Sequence, residues 1–576
     1  MSDRQEASEY KEITAVEQDR EAIVVAREKG KGALLGTFVR LSGPGWLQSA
    51  ITLGGGSLAG ALYLGVIGGY GLLWVQPLAM IMGIIMLSAI SYVTLSTGRR
   101  PFAMIKNDLS PVLGWGWAIA VLMANLVWIL PQFAMTTAAA QQSIWPSLLG
   151  PEGALGDTPS KLIMVVLLAT SSIGIVWSYG RGGSGAKMFE LILKLMVAVI
   201  VLSFFGVIIR LTISGVLNWG EIITGFMPNL SLLANPAATF TPHLNAVDEA
   251  FRDVWRNYIV AEQRDVMISA AAVAVGINMT FLMPYALLKR GWDRDFRGLA
   301  IFDLSTGMFI PFLLVTGAIV IAAGSQFHTQ PAEKPIYREV MASDDTTLEA
   351  VIPESALRTR LMAELGAEGW EAMSPDAQKA HIDALPEAEK AMASMLVRRD
   401  SFDLARSLEP LIGDRFSQVI FGIGVLGMGL SSAIIIMIIN GFVVCEMLGR
   451  PGNPWVFRAG AILPVIGASF GPFFWREAAF YLVVPVSVLG MVLLPIAYIS
   501  FISLMNSPKT LGASMPTGGK RIAGNILMGI ATTLASLGSL WSLWNYAQWR
   551  GLGAFALFVL LIFVVEFFRR GKTKDA

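Results

Sequence analysis

Twelve stretches of this chain run for about 20 residues with almost no charge, and nothing else limits the fold so tightly. They lie near 43–67, 71–95, 115–140, 161–179, 186–209, 266–288, 298–323, 420–445, 456–473, 479–504, 522–546 and 551–568. Each is long enough to cross the roughly 30 Å hydrocarbon layer of a bilayer as a helix. Composition agrees: 54% of the 576 residues are apolar and 15% are charged, against roughly 25% charged in a soluble domain. The expected class is an all-α polytopic membrane protein of about 12 transmembrane helices, partnered by the lipid bilayer. A net charge of +1 gives no basic field for nucleic acid.

Two scarcities narrow the chemistry. Cys445 is the single cysteine, which excludes an internal disulfide and any multi-cysteine metal site. The three histidines, His243, His328 and His381, fall outside the apolar stretches. Gly54-Gly55-Gly56-Ser57 therefore has no histidine base within the membrane, and a serine-type enzyme is not expected. No resident cofactor is expected either. A passive channel is disfavoured because no repeated filter signature is present.

Lys and Arg collect in alternate connections, including Arg99, Arg100 and Lys106, then Lys289, Arg290, Arg294 and Arg297, then Arg569, Arg570, Lys572 and Lys574. The positive-inside rule then places both termini in the cytoplasm of a plasma or inner membrane. The expected division is a flexible cytoplasmic tail (1–40), a first five-span unit (41–210), an external loop (211–265) and a second five-span unit (266–505). Residues 506–576 add two extra spans and a basic end. The second unit contains an external insertion, 326–414. Within it, 331–414 holds 17 of the chain's 42 acids, and Ser374-Pro375-Asp376 reads as a helix start. The insertion is read as a solvated addition, although its acidity also suits gathering cations at an entrance.

Irregular backbone at membrane depth survives only where it lines a cavity or is buried in protein. Span 1 carries Leu53-Gly54-Gly55-Gly56-Ser57 at its middle, and each glycine costs roughly 1 kcal/mol relative to alanine. Span 6 runs from Gly276 through Asn278 and Thr280 to Met283-Pro284-Tyr285, with a proline that frees a carbonyl. Paired interruptions at corresponding positions of two halves point to a transport site near the midplane. The breaks offer carbonyls, the hydroxyls of Ser57 and Thr280, and the Met283 thioether. Neither carries a formal charge. Tyr285 stands where it could close the inner path. Elsewhere, Glu190 and Lys194 are spaced to pair, Asp303 starts span 7, and Glu446 is expected to reach the interface near the end of span 8.

These residues resemble the Nramp family of proton-coupled divalent metal transporters, which have the leucine-transporter (LeuT) fold. The resemblance rests on Gly43-Pro44-Gly45, Gly225-Phe226-Met227-Pro228, Met283-Pro284-Tyr285, Gly429-Leu430-Ser431-Ser432, Gly441 to Glu446 and Leu494-Pro495. It implies a 5+5 inverted repeat plus two extra C-terminal helices. It also implies a secondary transporter working by alternating access at broken spans 1 and 6. The family's metal ligands map onto Gly54, Ser57, a carbonyl near Thr280, Met283 and Ser487, with Gly55 and Gly56 between the first two. The family's proton route maps onto Tyr285, Asn125 and Trp128, none of them a usual proton carrier. Asp303 is the other candidate for gating or coupling. The carboxylate expected at position 54 is missing. A close charge pair is worth about 4 kcal/mol at an effective dielectric of 20, so high-affinity capture of a bare dication is disfavoured. Two cargoes follow: a divalent cation, on the resemblance, or a small neutral or zwitterionic, amino-acid-like solute on the same fold.

Overall fold

The computed structural model describes residues 2–180, 183–331, 336–342, 345–351, 354–397, 399, 401–474 and 479–572. Ten helices among them are long and apolar enough to cross a membrane. Two differences reconcile ten with twelve. Span 1 is split into Pro44–Thr52 and Gly55–Gly68, each too short to cross alone. Gly518–Lys572 runs through both extra spans, interrupted at Gln548, whose φ of 45° is left-handed. That kink falls between the stretches 522–546 and 551–568 read from hydropathy.

The remaining spans are Val75–Thr97, Pro111–Ala139, Asp157–Gly180 and Gly183–Ile213 in the first half. The second half has Arg252–Ala274 with Met279–Lys289 as span 6, and Arg297–Gly307 with Phe309–Phe327 as span 7. It closes with Asp414–Met447, Pro454–Ala468 and Ala479–Met505. The interruption of span 6 is Val275–Asn278, upstream of the proline. Pro284 lies inside the second half-helix, so Thr280 to Tyr285 are helical rather than unwound. Gly276 within this break has no room for a side chain, because the Trp128 indole lies 2.7 Å from where a Cβ would sit.

Contacts between connections fix which ends lie together. Arg569 donates to the carbonyl of Leu109, 3.1 Å away, in the span 2–3 connection. Arg20 pairs at 2.8 Å with Asp293, in the span 6–7 connection. Both chain ends therefore lie on one side, here called the tail side. Residues 2–29 form a helix rather than a flexible tail, and Ile23 is fully buried. On the opposite side, the insertion holds an antiparallel ribbon, Ile336–Ala342 with Asp345–Val351, followed by short helices. Ser374 caps its helix by accepting from the Ala377 amide at 3.3 Å. The insertion is anchored as well as solvated. Buried Arg360 and Glu389 pair at 2.6 Å, the Trp255 indole donates to Glu389 at 3.2 Å, and Arg360 lies 3.2 Å from the Phe251 ring centroid. Phe251 and Trp255 belong to the approach to span 6, so the insertion sits on that helix. The Glu190–Lys194 pairing lies outside the described residues, because the Glu190 side chain is not among them.

The first half of span 1 is held from span 7. Buried Asp303 accepts from the amides of Gly43, at 3.0 Å, and Gly45, at 2.5 Å, and from the Ser42 hydroxyl. This carboxylate caps a helix N-terminus, where the helix dipole also favours negative charge. Gly45 is required by space, since a Cβ there would lie 2.3 Å from the Asp303 carbonyl oxygen.

His328, just past span 7, joins the other side. Its Nδ1 donates to Val66 O at 2.9 Å and its Nε2 lies 2.6 Å from the Thr239 hydroxyl. Burial holds its pKa below the ordinary 6.5. The folded form is then neutral while the unfolded chain binds a proton below pH 6.5, so stability falls as pH drops from that value. Thermal unfolding at pH 5 and pH 7.5 should show a lower midpoint at pH 5, and His328→Gln should shrink the difference.

Candidate transport site

Both interruptions are buried, and neutral side chains satisfy the peptide groups they free. Ser432 donates to Ile51 O at 3.3 Å and Ser431 to Ala50 O at 3.0 Å. Gln132 accepts from the Gly55 amide at 3.2 Å. Ser57 donates to Thr52 O. The two breaks are bridged directly, since Gln48 of span 1 donates to Met279 O of span 6 at 3.3 Å. Each bond replaces a water that the hydrocarbon layer cannot supply.

Spans 1, 3, 6, 8 and 10 converge on a small cavity of about 30 Å³. Gly54, Gly56, Ser57 and Ser487 line it, as the sequence leads one to expect. Gln132, Trp128 and Ser432 line it too. Thr280 and Met283 do not, although both are fully buried. The Thr280 hydroxyl donates to Ile277 O and accepts from the Trp117 indole at 2.9 Å, so it is already committed. Gly55 points elsewhere, with the Met135 methyl 2.3 Å from its missing Cβ. The oxygens facing the cavity are neutral, and among the described residues no group of three His, Cys, Asp or Glu could hold a metal ion.

Gln132 was not singled out by sequence. The available signal is its place one helical turn after Trp128, a polar residue in an apolar span. Its Oε1 takes the Gly55 amide and its Nε2 donates to Trp128 O at 3.1 Å. Trp128 in turn donates to Val486 O at 3.0 Å and lies 2.7 Å from the missing Cβ of Gly490. It is a wedge joining spans 3, 6 and 10.

The gating candidates separate. Asn125 is fully buried and lies 3.5 Å from Asn440, tying span 3 to span 8 away from the cavity. Asp303 is the cap described above. Tyr285 is stacked between Phe281, at 4.8 Å, and Phe442, at 5.4 Å. Trp117 continues the stack at 4.5 Å from Phe281, so rings run from Thr280 toward the tail side. Glu446 is buried and pairs with Arg100 at 3.0 Å, with the Tyr285 hydroxyl beside it.

The match to known proteins agrees with this geometry. The family model described as "Natural resistance-associated macrophage protein-like" (Nramp) matches residues 45–343 and 388–542. The chain belongs to the Nramp family. Relatives include metal transporter Nramp3 of Arabidopsis thaliana, 27% identical over 169 residues, which are 26% of this chain and 32% of that protein. Metal transporter Nramp2 of Populus trichocarpa is 27% identical over 163 residues, 28% of each chain. The matched stretches thus span about a third of the length of these curated relatives. Among solved structures, a mutant of the Eremococcus coleocola manganese transporter aligns with a TM-score of 0.58 at 14% identity, over 92% of this chain and 95% of that one. The same transporter with an aromatic bis-isothiourea compound gives 0.56 at 14% identity, over 93% of each. The fold of this Nramp protein is thereby the LeuT-like one.

Position 54 has little room for any side chain. The Gly54 φ of −103° suits any residue, so the limit is space. A Cβ there would lie 2.2 Å from the Ser432 hydroxyl. Gly54→Ala should lower stability by about 2 kcal/mol through overpacking. Ser432→Gly in the same chain should return most of it, read as the unfolding midpoint of single and double variants; equal midpoints for Gly54→Ala and the double variant would refute the clash.

Proposed function

We propose that this integral membrane protein is a secondary transporter, not an enzyme, that moves a divalent metal cation by alternating access through the cavity between spans 1, 3, 6, 8 and 10. The observation that carries the reading is a buried cavity, set at two helix interruptions and walled by oxygens, in a chain of the Nramp family. A volume of about 30 Å³ admits an ion with a water or two. An amino-acid-like solute needs several times that space, which favours the metal over the organic cargo.

Without a carboxylate, the ion keeps part of its hydration and is held by carbonyl, amide and hydroxyl oxygens, donors that suit hard cations. Gly54, Gly56, Ser57 and Ser487 are the expected binding positions, joined by Gln132 and Ser432. Gly55 contributes through its bond to Gln132. Met283 and Thr280 are assigned to the path just below. The division into residues 41–210 and 266–505 as repeats, with 506–576 as additions, belongs to the same reading. So does an orientation with the tail side in the cytoplasm of a plasma or inner membrane. Asp303 acts by holding or releasing the first half of span 1. Proton coupling has few carriers along this route, and no resident cofactor is invoked.

Proteoliposomes should take up manganese, and Gln132→Leu should lower kcat/KM roughly tenfold, the effect of losing about 1.5 kcal/mol of polar contact. If neither the natural chain nor a Gly54→Asp, Ser432→Gly variant binds or moves any divalent ion, the metal reading fails. In the same assay, Tyr285→Ala should change the uptake rate several-fold, because it removes an inner ring of the stack. An unchanged rate would remove Tyr285 from the gate.

A further inference from the structure

A second cavity, about 580 Å³, opens on the tail side among the ends of spans 2, 4, 6, 8 and 9. It shares no lining residue with the central one. The ring column ending in Tyr285 and Phe442 stands between them. This volume is that of a site for a small organic molecule, not for an ion.

Its lining is charged in one sense. Three cations, Arg100, Lys289 and Arg458, meet a single carboxylate, Glu446, and Arg100 already pairs with it. Arg458 lies against Trp177 and Trp455, 5.4 and 5.1 Å from their ring centroids, with no carboxylate in reach among the described residues. Lys289 donates to Tyr179 O at 2.9 Å and sits 3.5 Å from that ring's centroid. Phe442 and Phe457 add apolar walls. The Tyr285 hydroxyl, on a residue only 8% exposed, is a wall group beside Glu446. Aromatic faces suit a flat ring, and a guanidinium fork beside an ammonium suits phosphate or carboxylate.

We propose that this cavity binds a small aromatic anion, a flat ring bearing a phosphate or carboxylate, between Lys289 of span 6 and Arg458 of span 9. A ligand there ties the second half of span 6 to span 9 and slows any cycle that needs them to part. That consequence rests on the transporter reading; the binding itself does not.

The test uses the full chain in nanodiscs of phosphatidylcholine, which removes anionic headgroups as a source. Calorimetry compares AMP and salicylate with adenosine and inorganic phosphate. At least one of AMP and salicylate should bind tenfold or more tightly than adenosine and phosphate, since each control supplies half of the recognition. Preference for AMP identifies a nucleotide source, and preference for salicylate an aromatic acid. Arg458→Gln should weaken the tighter ligand at least tenfold, while Arg458→Lys retains part of the affinity at an unchanged unfolding midpoint. Absence of binding, equal binding of phosphate alone, or indifference to Arg458→Gln overturns the proposal. In proteoliposomes, the ligand enclosed with the tail side should slow divalent uptake. Binding without slowing overturns the clamp, and absent uptake in ligand-free vesicles counts against the transporter reading alone.

Discussion

Peptide groups released at mid-membrane must find partners inside the protein, and the centre of this molecule is arranged around that need. Two helices stop within the hydrocarbon layer, at Leu53–Gly54 and at Val275–Asn278. Leaving such groups unpaired costs several kcal/mol each. Serines of span 8, Gln132 of span 3 and Gln48 of span 1 supply the bonds. Five spans are thereby drawn to one point, and the small cavity is what their side chains leave unfilled.

That solution leaves little room for a charge at position 54. A carboxylate there would meet Ser432, whose hydroxyl donates to Ile51 O. The backbone bond and the carboxylate compete for one volume. Here the backbone bond is retained, and the site is neutral. A neutral oxygen cage gives up part of the Coulomb attraction to a dication. It also spares a buried carboxylate the desolvation cost of standing unpaired whenever the cavity is empty.

Much of this was legible in the chain. Apolar length gave the spans, and three glycines in a row located the first break, because such a run weakens any helix. The second break was placed too late, since proline is the stronger signal in sequence. In the fold Pro284 is tolerated within the half-helix, and the helix stops at Val275–Asn278, where Trp128 packs against Gly276. Gln132 and the Arg360–Glu389 anchor were not legible for a related reason. Their partners are 77 and 29 residues away, and only the folded chain brings them together. Glu446 reads as an interfacial acid until Arg100 is seen to meet it from the connection after span 2.

The bonds around span 1 also differ in number. Its first half is tied to span 7 by the Asp303 carboxyl group, which accepts from two amides and a hydroxyl. It is tied to span 6 by the neutral Gln48 bond, at 3.3 Å. Its bonds to span 8 are two neutral hydroxyls at 3.0 and 3.3 Å. Span 7 thus holds the start of this half-helix through three bonds to one side chain, whereas span 8 holds its end through one hydroxyl per carbonyl. Ile51 and Ser432 both line the cavity, so this seam of neutral hydroxyl bonds forms part of its wall.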